Sequence, residues 1–202
     1  MAVFNLIMAG VGGQGSLVAT RAVAEAAIKS GLRPTLGETY GASRRGGSVF
    51  THLRLVPDSE SDPGPLVPRG QADAIIGLEP MESLRAAVAF GSKRTNAVVS
   101  TMPIETLETL SGKTRYPPVP ELVGSLSRIC GTVWSVDPRS LEADGRIAAL
   151  NVWMLGVLCE TVDLPVTTES VRKSVTTLSG SADRNVETFD QGVLFGQRLA
   201  KK

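Results

Sequence analysis

The chain has 202 residues, 42% of them hydrophobic and 20% charged, with a net charge of +1. That length allows one α/β domain with a sizeable core, and the composition is that of an ordinary soluble protein. A charge so near zero gives no argument for nucleic acid or an anionic membrane as partner, and no apolar run approaches the length of a membrane span.

Residues 3–8 form an apolar run without a basic flank or a cleavage site, which reads as a buried strand rather than a signal peptide. A glycine turn follows. Residues 16–30 then read as a helix that is apolar over most of its circumference, with Gly31 as its stop. Residues 33–38 suit a second strand. After a glycine- and arginine-rich turn, residues 48–55 alternate: Val49, Thr51, Leu53 and Leu55 share one face, and Phe50, His52 and Arg54 the other. Pro57, Pro63, Pro65 and Pro68 mark a solvent loop. Residues 74–78 predict a strand, and Pro80 opens a helix to Phe90 that Gly91 closes. Residues 97–101 and 132–136 read as strands around an ambiguous stretch, 102–118, and a helix over 121–130. Helices over 145–160, 170–179 and 184–199 complete the chain. No internal repeat or linker divides it, so residues 1–202 form a single domain. The alternation predicts an α/β fold: a Rossmann-like, doubly wound, mostly parallel sheet with flanking helices and a helical C-terminal part.

Gly10-Val11-Gly12-Gly13-Gln14-Gly15 has the G-x-G-x-x-G spacing between strand and helix. Glycines there allow a sharp turn and bring bare N–H groups close to an anion, and the positive end of the helix adds to the attraction. A tight turn without a ligand would show the same spacing. A second turn, Tyr40-Gly41-Ala42-Ser43-Arg44-Arg45-Gly46-Gly47-Ser48, sets N–H and guanidinium donors close together. It suits an anion or a docking partner, and equally an exposed hairpin with solvated arginines. Both turns follow strands, so both belong on the carboxyl rim, where ligands of doubly wound sheets bind.

Cys130 and Cys159 stand far apart, in apolar surroundings and without metal-ligand spacing. They read as buried structural thiols in a reducing, cytoplasmic setting, and no iron–sulfur cluster, which takes four thiolates, can be built from them. His52, the one histidine, sits on an alternating strand and reads as structural or surface rather than catalytic. Trp134 and Trp153 read as packing residues.

Together the two glycine turns resemble the gamma subunit of the 2-oxoacid:ferredoxin oxidoreductases, and within that family the small subunit of indolepyruvate:ferredoxin oxidoreductase. Asn151-Val152-Trp153-Met154-Leu155-Gly156 and Asn185-Val186-Glu187-Thr188-Phe189-Asp190-Gln191-Gly192 extend the resemblance over nearly the whole chain. The resemblance implies a part in coenzyme A-dependent oxidative decarboxylation of a 2-oxoacid, with an aryl substrate such as indolepyruvate or phenylglyoxylate. Those enzymes use thiamine diphosphate and iron–sulfur clusters that pass electrons to ferredoxin. This chain has no cluster cysteines and no Gly-Asp-Gly motif, the nearest string being Ala143-Asp144-Gly145. The resemblance therefore puts thiamine diphosphate and [4Fe-4S] clusters on a larger partner subunit, and leaves this chain to bind coenzyme A and assemble, with no catalytic residue of its own.

On that reading Gly10 belongs to the cofactor-binding loop with Gly12, Gly13 and Gly15, and the N–H groups of the last three approach the coenzyme A pyrophosphate. Gln14 orients the ligand through its amide. Arg44 and Arg45, with Ser43 and Ser48, bind a phosphate or partner carboxylates. Two other readings stay open. Glu38 stands 23 residues past Gly15, near where a free-standing NAD-binding oxidoreductase grips a ribose hydroxyl. A non-catalytic regulatory module is the third.

Overall fold

The computed structural model describes residues 2–41, 47–60, 63–105, 109, 115–143, 146–147, 149–178 and 181–201. Six strands form one sheet: β1 (Phe4–Val11), β2 (Leu32–Tyr40), β3 (Ser48–Pro57), β4 (Ala74–Gly77), β5 (Asn96–Ser100) and β6 (Thr132–Val136). Their spatial order is β2-β3-β1-β4-β5-β6. β1, β4, β5 and β6 pair in parallel, while β3 runs antiparallel to both β1 and β2. The sheet is thus mostly parallel, as expected, with one reversed strand set beside its centre. The Arg44–Arg45 turn lies between the antiparallel neighbours β2 and β3.

Helices cover both faces: α1 (Ser16–Lys29), α2 (Pro80–Phe90), α3 (Val119–Ile129), α4 (Leu150–Thr161), α5 (Thr168–Val175) and α6 (Ala182–Ala200). A short hairpin, β7 (Glu142–Ala143) with β8 (Arg146–Ile147), precedes α4. The helix expected over 145–160 therefore starts later, at Leu150. On β1, a strand buried from both sides, side chains alternate between two cores. Leu6 and Met8 join Leu53, Leu55, Ile76 and Val98 beneath α1 and α4, whereas Ile7 and Ala9 join Ile75, Ala97 and Val99 beneath α2 and α3. α4 and α6 cross closely because Gly156 and Gly192 meet there: a Cβ on either would lie within 2.3 Å of the facing backbone. Trp153 is fully buried and rests on Phe195 (ring centroids 5.0 Å apart).

The proline-rich segment after β3 is not wholly a solvent loop. Val67 is buried in the second core, and Arg54 donates to the Pro63 carbonyl (2.8 Å) and, through Nε, to Asn5 Oδ1 (2.9 Å). His52 closes the same contact. Its Nδ1 accepts from the Val67 N–H (3.2 Å), its Nε2 faces Thr39 Oγ1 (3.2 Å), and the ring stands edge-on to Phe90. With Nδ1 accepting, the ring proton lies on Nε2, and burial lowers the pKa. This histidine is structural.

Candidate functional site at the carboxyl rim

The crossovers from β1 and β4 leave toward opposite faces of the sheet, which opens a crevice between their carboxyl ends. The first glycine turn sits in that crevice. Gly13 and Gly15 have φ of +110° and +74°, the left-handed region that favours glycine. Gly15 is the N-cap of α1 and supplies no side chain, and the first turn of α1 carries no acidic residue. Among the described residues no acceptor meets the N–H groups of Gly13, Gly15 and Ser16. These donors lie within four consecutive residues at the positive end of the helix dipole, an arrangement that attracts anions.

The other loop residues build the frame. The Gly12 N–H donates to the Gly47 carbonyl (2.9 Å), so of the three expected donors Gly13 and Gly15 stay open. This bond, with the Val11–Ser48 pairing and the Gly41 N–H to Ser48 carbonyl bond (2.8 Å), brings the stems of the two glycine turns together on one rim. Gln14 staples the loop: its Oε1 accepts from the Val11 N–H (2.7 Å), and its Nε2 donates to the Leu78 carbonyl at the end of β4 (3.0 Å). Gly10 makes room for that staple, since a Cβ there would come within 2.6 Å of Gln14 Oε1. Thr51 on β3 donates to Ser16 Oγ (3.0 Å) and fixes the start of α1. Ser43, Arg44 and Arg45 lie outside the described residues.

A cavity of about 490 Å³ opens against the loop. Met102 and Ile104, just past β5, form its second wall. Asn151 and Val152 of α4 form the third, and Leu178 and Asn185 close it. Asn151 Nδ2 donates to the Gly15 carbonyl (2.9 Å), tying α4 to the glycine turn. The cavity thus offers a positive floor, amide groups and apolar walls, a set suited to a ligand that is part phosphate and part organic. Asn151 and Asn185 each begin a stretch that carried the family resemblance, but nothing local in the sequence places them opposite Gly15. Met102 and Ile104 came from the one stretch without a periodic signal.

Two expectations are decided by topology. Because β3 lies between β1 and β2, Glu38 is two strands from the loop strand, about 10 Å away at ordinary strand spacing. It sits on an edge strand, where it accepts a bond from the Tyr40 hydroxyl (2.6 Å). A ribose-gripping acid belongs on the strand next to the loop strand, so the NAD reading loses its residue. The two cysteines lie on opposite faces of the sheet, Cys130 in the α2–α3 core and Cys159 against the α4 core. Burial raises both thiols, Cys130 to about 11, so neither has thiolate character. They do not fit a cluster or a disulfide.

Fold and rim define a Rossmann-like α/β chain with an uncapped glycine loop at the start of α1. Residues 5–195 match the family described as pyruvate ferredoxin/flavodoxin oxidoreductase, and the chain belongs to that family. It is 35% identical over 191 residues to the indolepyruvate oxidoreductase subunit IorB of Archaeoglobus fulgidus, covering 93% of this chain and 92% of that one. The gamma subunit of a keto/oxoacid ferredoxin oxidoreductase from Geobacter sulfurreducens has the same fold (TM-score 0.62, 20% identity, 96% of this chain and 99% of that one). So does part of the 2-oxoglutarate:ferredoxin oxidoreductase of Magnetococcus marinus, solved with 2-oxoglutarate, coenzyme A and succinyl-CoA bound (TM-score 0.67, 18% identity). There the match covers 100% of this chain and 32% of the other.

Proposed function

We propose that this chain is the small subunit of an indolepyruvate-type 2-oxoacid:ferredoxin oxidoreductase, and that its glycine-loop cavity receives the phosphate-bearing part of coenzyme A. One observation carries the reading: Gly13 and Gly15, whose N–H groups are open at the uncapped start of α1, line a cavity with apolar and amide walls. The pyrophosphate takes the place of the missing cap, and Arg44 and Arg45 of the adjoining turn add charge-assisted bonds. Thiamine diphosphate and [4Fe-4S] clusters belong to a larger partner subunit, which passes electrons to ferredoxin. The described residues of this chain hold no group of three metal-ligating side chains, and its two thiols are raised and far apart. This chain's own work is to bind, orient and dock. The two unpaired cysteines suit a reducing, cytoplasmic setting; no described helix is long and apolar enough to cross a membrane.

The test is reconstitution. The purified chain is expected to be colourless and to reduce neither ferredoxin nor a dye with any 2-oxoacid, and turnover should appear on adding the large subunit, with dependence on coenzyme A. Turnover by the chain alone, or binding of NAD(H) in preference to coenzyme A, overturns the reading.

A further inference from the structure

We propose that Glu79 and Tyr116 are positioning residues of the glycine-loop cavity, a latch that fixes its Met102–Ile104 wall. The inference rests on the coenzyme A reading for its functional consequence. Glu79 follows β4, is only 1% exposed and is the N-cap of α2. Its Oε2 accepts from the Glu82 N–H (2.8 Å), an ordinary cap bond. Its Oε1 faces the other way and accepts from the Tyr116 hydroxyl and from the Ile104 N–H (3.4 Å). Tyr116 Oη in turn accepts from the Met81 N–H (3.2 Å). One carboxylate therefore joins the start of α2, the residues just after β5 and the residues just before α3.

A cap alone does not explain the residue. Short side chains, Asp, Asn, Ser or Thr, cap helices best, and a buried carboxylate is costly unless several donors meet it. The longer Glu side chain is what lets the second oxygen reach Tyr116 and Ile104. The wall it holds has open space on both sides. Met102 lines the glycine-loop cavity and also a second, more apolar cavity of about 840 Å³ against α3. A segment with a cavity on either flank has less packing to fix it, so the hydrogen bonds at its ends carry more of its position. Burial raises the Glu79 carboxyl and the Tyr116 hydroxyl above their ordinary ranges, in keeping with a shared site closed to water.

The decisive variant is Tyr116→Phe, which removes one oxygen, leaves the α2 cap intact and is studied in the assembled two-subunit enzyme. Amide hydrogen exchange at Met102 and Ile104 should speed up. The KM for coenzyme A should rise roughly tenfold, the size of one lost hydrogen bond, with kcat within about twofold of the parent. Glu79→Gln, which keeps an oxygen toward Tyr116, should be milder than Glu79→Ala. Unchanged exchange at the wall overturns the proposal. So does faster exchange with an unchanged KM if Gly13→Val raises that KM. If exchange rises and neither variant alters the KM, the latch stands and the coenzyme A reading falls.

Discussion

Two strand-to-helix turns stand side by side at the centre of the carboxyl rim, and the chain finishes them in opposite ways. The turn from β4 to α2 is complete: Glu79 caps the helix, Pro80 removes a donor, and the acidic Glu82 sits in the first turn. The turn from β1 to α1 is left open: Gly15 caps with no side chain, no acid follows, and Gly13 and Gly15 hold left-handed conformations. In the first, the chain supplies its own anion to the helix dipole. In the second, it withholds one. An unsatisfied helix end beside a satisfied one, on adjacent parallel strands, is the contrast on which the proposed ligand site rests.

The sharpest way to break this contrast is Gly13→Val. A valine at φ +110° carries backbone strain of about 1–3 kcal/mol. Nothing lies within 4 Å of a Cβ there, so the fold should survive with a lowered melting temperature. On the proposed reading the side chain stands where the anion approaches, and the KM for coenzyme A in the assembled enzyme should rise on the order of 100-fold, matching the loss of two charge-assisted bonds. An unchanged KM moves the ligand away from this loop.

Arg44→Ala with Arg45→Ala comes next. The segment that carries the two arginines joins β2 to β3, and the residues flanking it are pinned beside Gly12. Stability should move by about 0.5 kcal/mol or less, while losing bonds to a buried anion costs on the order of 2–5 kcal/mol of binding. Normal association, coenzyme A dependence and activity in the double variant would leave the turn merely solvated.

Glu79→Ala tests the finished turn. Loss of the α2 cap alone should lower unfolding stability by about 1 kcal/mol, and the lost bonds to Tyr116 and Ile104 add to it, measured by denaturant titration of the isolated chain. The corresponding Gly15→Ala change should destabilise for another reason: a positive φ and a Cβ within 2.6 Å of Asn151 Nδ2.

The smallest effect is a pH signature that belongs to the finished turn alone. Burial raises the Glu79 pKa above its ordinary value of 4.5 in the folded chain. A raised carboxyl contributes stability in full below 4.5, and that contribution is lost as pH climbs through the folded value. Compared with Glu79→Gln, the parent should therefore lose ground as pH rises past 4.5. Equal pH slopes for parent and variant would show that water reaches this carboxylate.

Local chemistry in the sequence was enough for the elements. The glycine turn after an apolar run, the Pro80 start and Gly91 stop of α2, and the period-2 pattern of β3 each follow from neighbours a few residues apart. The loop's place at a strand-to-helix junction, and with it the candidate anion site, was legible for the same reason. The reversed direction of β3 was not, because alternation marks a strand's faces and says nothing of its polarity. The insertion of β3 between β1 and β2 removed Glu38 from the loop, and its reversed direction brought Gly47 onto Gly12. The cavity walls were also out of reach. Asn151 lies 136 residues from Gly15, and Glu79 is 37 residues from Tyr116. Their meeting depends on how α4 and the stretch after β5 pack over the rim. What the sequence by itself determined is an uncapped, glycine-built helix start in a mostly parallel α/β chain, since backbone freedom and helix polarity are local properties. What only the tertiary structure decided is which distant side chains enclose it, since packing sums contacts over the whole chain.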